Sequence, residues 1–244
     1  MLIVEAGLTN GGDGDMMDSI MHKDSEQESE LQMSSTNITA SGSDYEFHTP
    51  EAPGSDGIVT PHVVQICGTL GAKKVLDLGC GNGSMMVALH RAGFQVFGCD
   101  PSESGVGYAR QALPGADVRV LGVYDDPRDL GEGEFDVVAS TEVIEHLFAP
   151  RALPRFARQV LKPGGHLLVS TPYNGYLKNL LLSVANGWDH HHTALWDGGH
   201  VKFWSRDTLS RLLTEEGFVV EQFIGVGRGP YLWMSMILVA RRGD

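Results

Sequence analysis

Cysteine is scarce in this 244-residue chain: Cys67, Cys80 and Cys99 are odd in number and form no C-x-x-C pair. That argues against a disulfide framework and suits a reducing cytoplasm, where free thiols behave as small apolar residues. Basic residues are also few, with 18 Lys and Arg against 31 Asp and Glu and a net charge of −13. The positive surface that non-specific nucleic-acid binding requires is therefore missing. No long apolar run is present. Residues 232–240 reach only about half the length needed to span a bilayer. The apolar opening at residues 1–4 has no basic flank and meets Glu5 at once, so it does not read as a secretory signal.

The acidity is concentrated at one end. Residues 1–58 hold twelve acids and one base, Lys23, whereas the rest of the chain holds 19 acids and 17 bases. Residues 10–43 are rich in Gly, Ser, Asp, Glu and Met and almost free of aromatic rings. Such a segment cannot bury enough surface to offset its ordering entropy. Residues 1–45 are expected to be a disordered acidic tail, with a regulatory or lid role as the alternative. Residues 46–244 are expected to form one domain.

Past that tail, helical and β-rich runs alternate at α/β spacing. Thr60 with Pro61 can open a helix running to about Leu70. Residues 74–78, 95–99, 117–121, 135–140 and 166–170 read as strands, and 84–92, 102–111 and 152–161 as helices between them. The link at 122–134 is short and rich in Gly, Asp and Pro, so its helix is expected to be vestigial. An apolar helix is expected at 176–185, then another capped by Ser205 and closed by Gly217, then strands at 218–224 and 232–240. The sum is a seven-stranded, mostly parallel sheet with helices on both faces and a C-terminal antiparallel hairpin.

Val75-Leu76-Asp77-Leu78-Gly79-Cys80-Gly81-Asn82-Gly83 is a buried strand entering a glycine turn that opens a helix. Glycine lets backbone approach a ligand closely, and a helix N-terminus offers amides to an anion. Dinucleotide folds space their glycines G-x-G-x-x-G, but here the spacing is G-x-G-x-G with Asp77 before it. A carboxylate at that point repels a pyrophosphate and suits an ammonium group. Asp100 ends the next strand, placed for the two hydroxyls of a ribose.

These residues resemble the class I S-adenosylmethionine-dependent methyltransferases, whose first motif reads hydrophobic-D-x-G-x-G-x-G. Residues 135–140 and Leu161-Lys162-Pro163-Gly164-Gly165 match the family's later motifs. The resemblance implies a Rossmann-like fold and S-adenosyl-L-methionine as cofactor. It implies that Asp77, Gly79, Cys80, Gly81, Asn82 and Gly83 line the methionine and ribose part, and that Asp100 holds the ribose. Pro101 and the turn containing Tyr124, Asp125 and Asp126 would flank the adenine, either aspartate meeting its amine. Thr141 closes the same set.

After the fourth strand come Thr141-Glu142-Val143-Ile144-Glu145-His146. In a helical segment Glu142, Glu145 and His146 would share one face, a plausible half-site for a divalent metal. The string resembles E-x-x-E-H of the ubiquinone-biosynthesis O-methyltransferases. It also resembles the small-RNA 3′-terminal 2′-O-methyltransferases, whose distal histidine segment is similar to His200-Val201-Lys202-Phe203-Trp204-Ser205-Arg206. The resemblance implies Glu142, Glu145, His146 and His200 as ligands of an Mg, Mn or Zn class ion, with Glu142, His146 and His200 catalytic. A metal-free version keeps His146 or His200 as general base. Of His190, His191 and His192, at most one is expected to join a site.

An insertion at 173–200 offers Tyr173, Tyr176, Leu180, Leu181, Trp188 and Trp196, which suits an aromatic or otherwise apolar small acceptor methylated on oxygen. Packing of these rings onto the sheet is the competing reading. Methylation of RNA ends, and N- or C-methylation of a natural product or sugar, stay open. The oligomeric state is open too, although the cap or the final hairpin could pair two copies into a homodimer.

Overall fold

The computed structural model describes residues 56–192, 195 and 199–243. The acidic segment at 1–45 and Trp196 lie outside the described residues. The first helix, α1 (Asp56–Thr69), buries Val59, Val63, Ile66 and Cys67, an i, i+4, i+7, i+8 stripe. It begins one turn before the expected cap at Thr60, so Pro61 lies inside it. A later start would release Val59, which is 1% exposed. Burying that side chain outweighs the one amide bond that proline cannot make.

Five strands are parallel: β1 (Lys74–Leu78), β2 (Gln95–Asp100), β3 (Asp117–Val120), β4 (Phe135–Thr141) and β5 (Leu161–Pro172). Strands β6 (Phe218–Val226) and β7 (Ser235–Arg242) pair antiparallel, and β7 joins the edge of β5. The spatial order is β3-β2-β1-β4-β5-β7-β6. Helices α2 (Ser84–Arg91), α3 (Glu103–Ala112), α4 (Ala152–Val160), α5 (Tyr176–Val184), α6 (Trp188–His191) and α7 (Arg206–Glu215) complete the set. Between β3 and β4 only a 3-10 turn forms, at Pro127–Leu130, as the composition of that link suggested. Chain order reverses between β1 and β4, so the loops leaving their carboxyl ends diverge and open a crevice.

Pleating splits the core in two. Leu76, Leu78, Val138 and Val169 face α4 and α7 through Leu153, Phe156, Leu209 and Leu213. Val75, Val137, Ala139 and Leu168 face α1, α2 and α3 through Val63, Met86, Leu89 and Val106. With both faces covered, the central strands read as near-continuous apolar runs instead of alternating, interrupted by residues such as Asp77 and Asp136.

Two strand starts, those of β5 and β7, differ from expectation. Leu161 already pairs with Phe135 before the register shifts to Val137 and His166, so the Lys-Pro-Gly-Gly turn is a bulge within β5. Strand β7 starts at Ser235 instead of Leu232, because the amides of Leu232 and Met234 close the hairpin turn onto Gly229 and Val226.

Asp136 ties three strand entries together. Its carboxylate accepts the backbone amides of Lys73 and Lys74 at 2.9 and 2.8 Å and the Lys162 ammonium at 2.7 Å. Partial burial raises its pKa, but the Lys162 ammonium and the two amides outweigh burial and hold it below the usual range. Replacing Asp136 by Ala should cost about 1–3 kcal/mol near neutrality. A depressed folded pKa gives stability that is present above the unfolded value and lost as pH falls through the folded one. The gap between wild type and Asp136→Ala should therefore close as pH drops below about 4, read from urea midpoints across pH.

Candidate active site

The turn after β1 has three left-handed glycines, with φ of 88° at Gly79, 48° at Gly81 and 84° at Gly83. Side chains rarely adopt such angles. Two of these positions also lack space. A Cβ on Gly79 would stand 2.4 Å from Val143 Cγ2, and one on Gly83 would stand 2.8 Å from the Ala109 α-carbon. The amides of Gly79 and Cys80 donate to the Cys99 carbonyl at 2.8 and 3.0 Å, which locks the turn to the end of β2. Gly83 begins α2 without a side-chain cap, and Asn82 Oδ1 accepts the Ser84 amide at 3.3 Å. The helix thus keeps its first-turn polarity directed at the crevice.

Both motif acids are buried, Asp77 to 1% and Asp100 to 8% exposure. Asp100 Oδ2 accepts the Gly81 amide and Oδ1 the Ser102 amide, each at 2.9 Å. Burial raises the Asp100 pKa while these two amides oppose it. Four lone-pair positions with two amides attached leave room for two hydroxyl donors. The Cys80 thiol packs inward, and burial followed by the charges of Asp77 and Asp100 pushes its pKa far up, so it is an inert apolar group.

Pro101 lies against Gly122, whose added Cβ would stand 3.2 Å from the ring. Asp125 Oδ2 accepts the Gly122 amide at 2.7 Å, bracing this turn from within. Asp126 caps the 3-10 turn and pairs with Arg128, which holds its carboxyl down to about 2. Tyr124 is half exposed and its hydroxyl accepts the Ala149 amide at 3.2 Å. Thr141 Oγ1 reaches Met85 Sδ on α2 at 3.9 Å.

Beyond β4 the chain does not become the helix that would align Glu142, Glu145 and His146. Glu142 is left-handed, at φ 54°, and only Ile144–His146 forms a 3-10 turn. Ser170 and Ser235 cause the break. Their hydroxyls donate to the Glu142 carboxylate at 2.7 and 2.8 Å, and the Glu142 amide returns to the Ser170 carbonyl at 3.2 Å. Glu142 is thereby drawn toward β5 and β7 and stands outside the metal-like cluster expected to include it.

The other three expected ligands do converge. One ligand atom each from Glu145, His146 and His200 lie within 4.8 Å of one another. His200 is brought there by backbone: the amides of Val201 and Lys202 both donate to the Glu145 carbonyl, at 2.9 and 3.0 Å. The rings of His146 and His200 meet edge to face at 5.0 Å, and His200 Nε2 stands 4.0 Å from Glu145 Oε1. Glu145 is 1% exposed, and neither carboxylate oxygen has a hydrogen-bond partner among the described residues. Burial and then the nearby Glu142 charge push its pKa well up. His200 is pushed down to about 4 by burial and by the charges of His146, His192 and Lys178, so its imidazole is neutral near pH 7.

Two participants come from the cap. Of the histidine triplet, His192 is the one whose charge reaches His200; it packs against Trp188 and Phe203 at 4.5 and 5.0 Å. The His190 side chain lies outside the described residues. Lys178 is 8% exposed and was not among the expected site residues. Its signal was present, since it is the one charged residue of that helix. Among the expected acceptor contacts, Tyr173 instead packs on Trp233 and Phe223 at 5.1 and 6.3 Å. Tyr176, Leu180, Leu181 and Trp188 remain exposed.

A methyltransferase-domain family profile matches residues 58–222. The chain is 34% identical over 167 residues to the ubiquinone biosynthesis O-methyltransferase of Thiobacillus denitrificans, a match covering 66% of this chain and 71% of that protein. It is 32% identical to the protein of the same name from Bradyrhizobium diazoefficiens, over 66% of this chain and 64% of that one. Among solved structures, magnesium protoporphyrin IX methyltransferase from Synechocystis PCC 6803 with bound SAH is similar at a TM-score of 0.56 and 25% identity. That match covers 76% of this chain and 82% of the other. With the family profile matched over more than half its length, and with this fold and glycine turn, the chain belongs to the methyltransferase-domain family.

Proposed function

We propose that the chain transfers a methyl group from S-adenosylmethionine to a hydroxyl of a small aromatic or apolar molecule, with a divalent ion at Glu145, His146 and His200. One observation carries this reading: Val143 packs on Gly79, so the glycine turn and the Glu/His cluster share a crevice.

The glycine turn fits the cofactor by its close-approach geometry and its uncapped helix. Asp100 keeps acceptor capacity for the ribose hydroxyls, and Pro101 with Gly122 forms one wall for the adenine. Asp77, Cys80, Asn82, Tyr124, Asp125, Asp126 and Thr141 shape or flank that pocket. Bound there, S-adenosylmethionine supplies an electrophilic sulfonium methyl.

A buried carboxylate without hydrogen bonds, beside a neutral imidazole, fits a cation better than it fits an apolar core. Two histidines and one carboxylate with open positions suit a first-row dication, which would lower the pKa of a coordinated hydroxyl. Glu145 and His200 hold the position, and the Val201 and Lys202 amides keep His200 in place. Glu142 accepts the hydroxyls of Ser170 and Ser235. The exposed rings and aliphatic groups of Tyr176, Leu180, Leu181 and Trp188 supply an apolar wall for the acceptor.

Calorimetric titration with S-adenosylmethionine, followed by turnover on catechol-like compounds and on short RNA, tests the reading. Small-molecule turnover is expected, and turnover on RNA alone would reverse it. Asp100→Asn should weaken cofactor binding by roughly 10- to 100-fold, the worth of charge-assisted hydrogen bonds. Glu145→Gln and His200→Ala should each weaken Mn²⁺ binding, followed by paramagnetic resonance, by at least about tenfold, while Glu142→Gln changes it by less than about threefold. Turnover that survives exhaustive chelation would remove the metal.

A further inference from the structure

The outer face of α4 borders two adjoining cavities. The first, of about 410 Å³, lies between the turn after β3, with Val123, Tyr124 and Pro127, and the start of α4, with Pro150 and Phe156. The second, of about 350 Å³, is lined by Arg155, Arg158, Gln159, Glu216 and Arg242. Arg155 and Gln159 line both, so the two cavities form one groove. Arg151, Arg155 and Gln159 recur every four residues along it, a row about 12 Å long at about 1.5 Å per residue.

The two halves differ in chemistry. The first is largely apolar and presents the Tyr124 ring, which is 59% exposed. In the second, three guanidinium groups meet one carboxylate among the described residues, an excess of two positive charges. That carboxylate is already committed: Glu216 accepts Arg151 at 2.9 Å and Arg155 at 2.7 and 3.0 Å. Ion pairs between α4 and α7 account for Arg151 and Arg155, and Arg158 in the last turn suits the helix dipole. Neither role needs Arg242. Its guanidinium donates to the Leu161 carbonyl at the start of β5, and Arg158 Nε lies 3.2 Å from where a Cβ on Gly217 would stand. Backbone thus positions both groups beside Arg155. Holding like charges together opposes folding, and an anion bound among them offsets that cost.

We propose that this groove binds a small phosphomonoester carrying a flat ring, the class to which nucleoside monophosphates belong. A phosphomonoester holds about 1.5 to 2 negative charges near pH 7, matching the excess, whereas a carboxylate holds one. Guanidinium forks pair with phosphate oxygens in two-point contacts. The ring would lie in the apolar half, against Tyr124, Pro127 and Phe156. The basic half stands at the amino end of β5, the opposite end of the sheet from the crevice. The site is therefore distinct from the cofactor turn and does not depend on the methyl-transfer reading.

The test titrates guanosine 5′-monophosphate calorimetrically into the full chain saturated with S-adenosylhomocysteine, which keeps the nucleotide from the cofactor pocket. Saturable binding is expected, at least about tenfold tighter than that of guanosine or of ribose 5-phosphate. Gln159 is exposed and lines both halves. Gln159→Glu brings a carboxylate into the groove and should weaken the nucleotide at least about tenfold without lowering the melting temperature. Arg242→Gln should weaken it to a similar degree. Absence of saturation, or equal binding by Gln159→Glu, would overturn the proposal. Displacement of the nucleotide by S-adenosylhomocysteine would do the same, by placing it in the cofactor pocket. Inorganic phosphate bound as tightly as the nucleotide would also overturn it, leaving a free-anion site. If the chain takes up no S-adenosylhomocysteine, nucleotide binding that is lost in Gln159→Glu still supports the groove and counts only against the methyl-transfer reading.

Discussion

Everything in the crevice depends on the side chain of Val143 resting on the bare α-carbon of Gly79. The contact exists because residue 79 has no Cβ; an added one would stand 2.4 Å from a Val143 methyl. It joins the loop after β1, which carries the cofactor-type turn, to the loop after β4, which carries the carboxylates. Neither loop belongs to regular structure, and their spacing follows from the reversal of strand order between β1 and β4. Any widening here would separate donor and acceptor, and catalysis by positioning tolerates displacements well under an ångström.

A second constraint is charge in low dielectric. Buried Glu145 stands beside His146 and His200, with the Glu142 charge acting on it through space. The groups are not equivalent. Glu142 is paired with hydroxyls, Glu145 has no hydrogen-bond partner among the described residues, and Lys178 sits on a helix whose large apolar residues are mostly exposed. The left-handed backbone at Glu142 is the means of separating the two carboxylates, since a continuous helix would stack them on one face. Strain of that kind persists only where neighbours over-determine it, and it concentrates at working sites.

Much of this was legible along the chain. Strand β1 and the starts of β2 and β4 fall where the apolar runs put them, because a strand buried on both faces leaves a near-continuous signature. The glycine spacing with Asp77 and Asp100 was legible for the same local reason: turn geometry constrains residue type. Less legible was the start of α1, where burial of Val59 overrides the proline signal. The one-face arrangement that a helix over Glu142–His146 would have given is also absent, since the Glu142 side chain is held by Ser170 and Ser235, 28 and 93 residues away.

The sequence by itself determined the alternation of strands and helices and the glycine turn. Each of these is encoded by residue types at short spacing. Tertiary structure alone decided which acids stand together, that His200 is tethered to the Glu145 carbonyl, and that Lys178 turns inward while Tyr176 and Val184 turn out. Those outcomes depend on backbone hydrogen bonds and burial between segments tens of residues apart, and no local pattern carries that information.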